Sequence, residues 1–451
     1  MRPHVIVGRF GPGDRAAIPT ALGEASTKLD LVVSKRALGH GIGRALSDLR
    51  KLKLVPTEVA LDLLVLAAHI HAADTRVSRS TESQDSWTRE LRLVVPVSDP
   101  ARWIGAAPTL RRILNFLSGD RWIVDFRARP AKFRQYLAPL AAELIPPPYD
   151  SVNLFSGGLD SLIGAIDALE GGGQPLFASH AGEGAVSKSQ EDCFDVLQKH
   201  YAKLSPTRFR LWMNFPKNLV RKVGSEDSTR ARSFLFFALG VFAGSSFGKP
   251  FKLRVPENGL ISLNVPLDTL RLGSLSTRTT HPFYIARWNQ LLHLLGIPGV
   301  IENPYWNKTK GEMVSECTNT KLLHGLVPSS MSCSSPTKGR WKGLATEHCG
   351  FCLPCLIRRG ALLSIGDPTT YTVLDLRASE MDTRRAEGKQ IRSFQYAIER
   401  LRARPQLAKM LIHKPGPLFD ELARLDALAD VYTRGLNEVG VLLDGVRAGP
   451  S

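Results

Sequence analysis

The stretch that most constrains this fold is residues 151–162, SVNLFSGGLDSL. A short apolar run, Val152 to Phe155, meets Ser156-Gly157-Gly158, and Asp160-Ser161 lead into a helix-forming segment ending at Leu169. The order is strand, tight glycine turn, helix start. Two adjacent glycines let the backbone curl with positive φ and let a ligand approach with no Cβ in the way. The first helical amides point unpaired N–H groups at the turn. Ser156, Asp160 and Ser161 add short polar side chains for capping or for reaching a ligand. Such a turn cradles an anion, most naturally a phosphate chain. It is not a Walker loop, since no G-K-[ST] follows, and not a G-x-G-x-x-G fingerprint. An ordinary glycine-rich connection between strand and helix is the bland alternative.

The residues beyond it keep the same rhythm. After the helix at 160–169 and a Gly171-Gly172-Gly173 stop come a strand PLFASH (175–180), a helix from about 189 to 204, a strand RFRLWMNF (208–215), a helix from about 232 to 244, and a strand FKLRV (251–255). Strands alternating with helices predict an α/β domain, a parallel sheet with helices on both faces. Ligands in such sheets sit beyond the carboxyl ends of the strands, where SGGLDS falls.

At 451 residues two or three domains are expected. Residues 1–148 read as an N-terminal α+β domain ending in the stiff linker Ile145-Pro146-Pro147-Pro148. It contains a strand at 29–33, a helix at 57–73 with Thr57 as N-cap, a half-buried alternating strand at 89–97, and helices at 111–117 and 131–144. Between 74 and 89 lies a polar loop whose Asp74, Arg76 and Arg79 read as a solvated face tied by local ion pairs. Residues 149–366 form the sheet domain. Residues 367–451 read as a helical extension, with Leu418, Leu422, Leu425 and Leu428 at helical spacing, suited to packing or to a partner.

Hydrophobic content of 43% and charged content of 22% suit a globular protein. No run approaches the ~18 apolar residues of a membrane span, and the N-terminus lacks a signal-peptide core, so the expected location is cytoplasmic. A formal charge of +17 favours an acidic partner, nucleic acid among them, without requiring one, because the arginines are spread along the whole chain.

Four of the six cysteines cluster late: Cys349, Cys352 and Cys355 in C-x2-C-x2-C, with Cys333 upstream. Four thiolates satisfy tetrahedral zinc, and iron–sulfur clusters use similar spacing. A metal centre is expected, structural in role and pinning the end of the sheet domain near the cleft. Cys193 and Cys317 read as packing residues.

SGGLDS resembles the PP-loop of ATP pyrophosphatases. Together with Cys333 and CGFCLPC, and with Arg358 just after, it resembles the QueC family, the 7-cyano-7-deazaguanine synthases, over roughly residues 149–366. TRARSFLFFALGVFA (229–243) resembles that family's R-N-x2-F helix, with Ser233 in place of asparagine, and NKTKGEM (307–313) its T-K-x-E segment. The wide separation of Cys333 from Cys349, the lost Y-G-Q after the second strand and the two added regions resemble the longer, QatC-type members found in anti-phage defence systems.

The resemblance implies a PP-loop fold binding ATP with Mg²⁺ and Zn²⁺, and adenylation of a 7-carboxy-7-deazaguanine-type carboxylate for attack by an amine. Phe155 to Ser161 would form the nucleotide loop, with Ser156, Gly157, Gly158 and Ser161 on phosphate oxygens, Leu159 within the turn, and Asp160 bracing it or placing Mg²⁺. Arg230, Arg232 and Lys310 would neutralise leaving pyrophosphate; their alternative is ordinary surface charge. Cys333, Cys349, Cys352 and Cys355 would hold zinc. The added regions imply an acceptor amine on a partner protein of a defence operon. Ammonia as the amine, with a nitrile product, is one alternative; tRNA modification and a non-catalytic nucleotide-binding scaffold are others.

Overall fold

The computed structural model describes residues 2–34, 37–84, 86–138, 147–182, 184–226, 228–268, 278–337 and 346–450. Two parallel sheets dominate it. The second carries the glycine turn and runs in the order Gly299–Glu302, Phe251–Arg254, Ser151–Leu154, Pro175–His180, Thr207–Leu211. Every pairing in it is parallel, with Val152 set between Leu253 and Leu176. Chain direction across the sheet reverses beside Ser151–Leu154, which opens a crevice at its carboxyl end. The helix Leu159–Glu170 begins there.

The strands and helices of this region fall close to the predicted positions, including Pro175–His180 and Arg232–Gly244. The elements after Phe251–Arg254 escape that reading, among them the helix Pro282–Leu294 and the edge strand Gly299–Glu302, whose four residues carry only a short apolar signal.

The N-terminal region is not α+β. Its main sheet, four strands in the order Ala25–Asp30, His4–Arg9, Glu90–Val97, Arg121–Ala128, is all parallel, and Val32–Ser34 with Ala37–Leu38 forms a small separate antiparallel pair. The helix Pro100–Ser118 makes the crossover between the last two strands of the main sheet, as parallel pairing demands. Glu90–Val97 is consequently central, with Leu93, Val94, Val95 and Val97 all buried, so its expected alternation fails in the second half. Of the helix expected at 131–144, the described residues show a 3₁₀ turn, Ala131–Phe133; residues 139–146, including Ile145 and Pro146 of the linker, lie outside the described residues.

Residue 148 is no break in the core. One apolar cluster runs from Leu64 and Val95 through Val152 and Leu176 to Phe237 and Trp288. The helix Glu58–Arg76, capped by Thr57 as expected, packs against Arg232–Gly244, and both are apolar on nearly every side because each is enclosed. Each fully buried Phe or Leu there contributes about 1.5–3 kcal/mol.

The C-terminal helices Ala386–Ala403 and Leu425–Leu442 form a second core with Leu260, Leu263, Leu356 and Ile357 of the sheet region. Leu418 and Leu428 enter it, whereas Leu422 is exposed on a 3₁₀ turn. No helix among the described residues is long and apolar enough to cross a membrane.

Candidate functional site

Gly157 takes φ +79°, and a Cβ there would lie 2.9 Å from the backbone nitrogen of Gln190. The first glycine of the turn is therefore required by both conformation and space. Gly158 is the N-cap of the following helix and offers no side-chain cap. Ser161 Oγ ties the turn together, accepting from Ser156 N at 3.2 Å and donating to Gly158 O at 2.9 Å. Gly158 N donates to Ser156 Oγ and Leu159 N to Ser332 Oγ, each at 3.3 Å. Ser156 stays exposed at the mouth, while Phe155 and Leu159 are buried as the anchors on either side.

A cavity of about 190 Å³ opens beside the turn, lined by Phe155, Ser156, His180, Gln190, Arg232 and Cys333 among others. It is smaller than typical small-molecule sites of about 300–1,000 Å³. Gln190 is 2% exposed; its Nε2 donates to Ser156 O and His180 O, and its Oε1 has no hydrogen-bond partner. Arg232, the first residue of its helix, lies against Phe236. Burial, aided by the charges of His71 and Arg232, pushes the His180 imidazole down to about 3, so it is neutral at pH 7. Larger cavities of about 510 and 570 Å³ lie against Trp306 and against Trp87, away from the glycine turn.

Asp160 points the other way, into the crevice between Ser151–Leu154 and Phe251–Arg254. Its Oδ2 accepts from Asn258 N at 3.2 Å and from Asn258 Nδ2 at 2.7 Å. Its Oδ1 faces Lys310 Nζ at 2.8 Å, an ion pair lying off the hydrogen-bond direction. Burial pushes Asp160 up, but Lys310 and the hydrogen bonds outweigh it and hold the carboxyl below its ordinary value. Glu257 is pushed well above its ordinary value by burial and by the adjacent Asp160 charge. Of the two roles expected for Asp160, these contacts serve bracing. Lys310 is 3% exposed and serves as this brace's counter-charge rather than a surface charge.

Arg230, close to Arg232 in sequence, is separated from it in space. Its guanidinium stacks 3.8 Å over the Trp87 ring and donates to Ser118 O, facing away from the turn. Neighbouring residues at a helix start diverge in direction, which spacing alone does not reveal. Beneath it lies a buried ionic cluster. Arg89 pairs with Asp120 at 2.7 Å and Asp74 at 3.0 Å, and Arg79 with Asp120 at 2.6 Å. Asp74 is 0% exposed, Arg89 0% and Arg79 5%. The charges of the expected solvated loop thus form a buried junction, while Arg76 is half-buried, donating to Phe215 O and Pro216 O, and Ser80, Thr81, Gln84 and Ser86 stay exposed.

Cys333, Cys349, Cys352 and Cys355 come together as expected. Their sulfurs lie within 4.8 Å of one another, with 3.9 Å between Cys333 and Cys352 and between Cys349 and Cys355. Gly350 at φ +88° makes the knuckle turn, and the helix Leu353–Leu362 carries Cys355. The four can hold a metal ion. Cys193 and Cys317 are buried and unpaired, and burial pushes each up to about 12, as for inert packing thiols.

Sequence reasoning missed Gln190, His180, Glu257, Asn258 and Ser332. Each is a single polar residue outside any motif, brought to the turn by topology. No family model and no curated protein matches this chain.

Proposed function

We propose that this chain is a QueC-like PP-loop ATP pyrophosphatase of the QatC type. In this reading it adenylates a 7-deazaguanine-type carboxylate with release of pyrophosphate, for attack by an amine on a partner protein. The observation that carries the proposal is the glycine turn: a positive-φ glycine that tolerates no Cβ, at the carboxyl end of a central parallel strand, with a cavity alongside.

The turn, with Ser156 exposed at its mouth, would hold the departing diphosphate, and Arg232 would supply a cation beside it, while Ser161 ties the turn together. Asp160, Lys310 and Asn258 would keep the turn in place from the opposite face. Catalysis of this kind is positioning plus charge stabilisation, and every donor named is fixed by burial or by a neighbour.

The four thiolates fit zinc. Sulfurs 2.3 Å from one tetrahedral ion stand about 3.8 Å apart, against the 3.9 Å found for two of the pairs. An iron–sulfur cluster spreads its thiolates over several metal atoms. Zinc would supply structural cross-linking here, with no position left open for chemistry.

Mass spectrometry after incubating the chain with ATP, Mg²⁺, 7-carboxy-7-deazaguanine and its co-expressed operon neighbours tests the proposal. AMP, pyrophosphate and a deazaguanine-sized mass increase on a neighbour are expected. A nitrile with no protein adduct selects the small-molecule synthase; no AMP under any condition removes the enzyme assignment.

A further inference from the structure

The segment carrying Cys333 is also a clamp on the glycine turn. Met331 N donates to Gly157 O at 2.8 Å, and Ser189 Oγ ties that same carbonyl to Ser329 O. Ser332 N donates to His348 Nε2 at 3.1 Å, which fixes the serine between the turn and the knuckle.

Ser332 Oγ accepts twice, from Leu159 N at 3.3 Å and from Arg358 Nη1 at 3.4 Å. A hydroxyl has two lone pairs and one proton. With both lone pairs taken, its proton must point elsewhere, and no acceptor among the described residues takes it. The oxygen lies 3.8 Å from where a Gly158 Cβ would sit, at the turn itself. Arg358 is 0% exposed and forms no ion pair among the described residues. It donates only to neutral oxygens, those of Val327, Ser330, Ser332 and Thr369. A buried guanidinium without a carboxylate is costly unless an anion lies near. Gln190 Oε1, buried and unpartnered on the other side of the turn, independently marks the cavity as polar space left for a ligand.

We propose that Ser332 is a further anion-binding residue. Oriented by Leu159 and by Arg358, its hydroxyl donates to a phosphate oxygen held in the 156–161 turn. The cysteine-bearing segment thereby contributes a ligand contact as well as a wall. This rests on the reading of the turn as a pyrophosphate cradle.

Isothermal titration of inorganic pyrophosphate into the full-length, metal-loaded chain tests it, with ATP titrated in parallel. Ser332→Ala is expected to weaken pyrophosphate binding about 10- to 100-fold, as deletion of a hydrogen bond to a charged group does. Its metal content and urea midpoint should match the parent, and Ser332→Thr, which keeps the hydroxyl, should bind within about threefold of the parent on the same scale. An alanine variant binding as tightly as the parent overturns the role of Ser332 and leaves the cradle standing. So does an affinity loss shared by the threonine variant or accompanied by metal loss, since the role would then be structural. A parent chain that binds neither pyrophosphate nor ATP removes the cradle and this inference together.

Discussion

The Asp74 carboxylate accepts the backbone N–H of Ala231 at 2.8 Å, joining the helix Glu58–Arg76 of the first sheet to the start of Arg232–Gly244 in the second. Through its other oxygen, Asp74 meets Arg89 and Arg79. The same residue thus neutralises a buried ionic cluster and fixes where Arg232 enters the cavity. A chain-spanning apolar core and a charged rivet at its edge make the N-terminal region part of the site's framework.

Asp74→Ala is expected to destabilise the protein by about 3–5 kcal/mol, because it leaves two buried guanidiniums short of a carboxylate. Asp74→Asn should recover part of the loss by keeping an acceptor for Ala231. Urea denaturation with unchanged m-value measures both. A loss under about 1 kcal/mol would mean that Asp120 and Glu226 suffice to neutralise the cluster.

Burial, with the Asp160 charge beside it, pushes the Glu257 carboxyl well above its ordinary value. A carboxyl raised in the folded state costs stability as pH climbs from its unfolded value, about 4.3, through its folded value. Glu257→Gln supplies the neutral form permanently. It should therefore match the parent near pH 4 and be the more stable protein at pH 8, in paired denaturation curves. A variant less stable than the parent at pH 8 would show that Glu257 acts there as an anion.

The glycine turn, the alternating sheet and the four cysteines were legible because each has a local signature: paired glycines, periodic apolar runs and close cysteine spacing. What escaped was set by tertiary neighbours. The segment at 74–89 looks like a solvated loop, since nothing local reveals that Asp120 and Glu226 arrive from elsewhere to pair with Arg79 and Arg89. Arg230 and Arg232 sit two apart in a motif-like segment, yet the helix start sends one to Trp87 and the other to Phe236. The N-terminal strands looked mixed because the 10–24 crossover contains no helix to announce parallel pairing.

His71 and His180 meet behind the cavity with ring centroids 5.9 Å apart. Burial, with Arg232 and Arg76 nearby, pushes His71 down to about 4, and burial pushes His180 to about 3. A histidine depressed in the folded state contributes stability that is present above the unfolded value near 6.5 and is lost as pH falls toward the folded value. The protein should therefore weaken between pH 6.5 and 4, by on the order of 1–2 kcal/mol per histidine at pH 5. His71→Phe and His180→Phe should each flatten the pH dependence of the urea midpoint. An unaltered slope in both would place the acid sensitivity elsewhere.

The cysteine centre and the glycine turn share residues 329–333, so metal removal should be felt at the turn before it is felt in the distant sheet. Mass spectrometry of the native chain should find one metal per chain, and Cys355→Ser should lose it. Structural zinc binding is worth on the order of 10 kcal/mol of apparent folding energy in small domains, but here the large apolar core stands apart from the knuckle. Partial rather than global loss is therefore expected. Chelation should raise amide exchange at 156–162 and 329–333 while His4–Arg9, in the first sheet, keeps its protection. Uniform deprotection of both regions would show that the metal holds the whole fold. Unchanged exchange at the turn would show that the hydrogen bonds from Met331 and Ser332 survive without it.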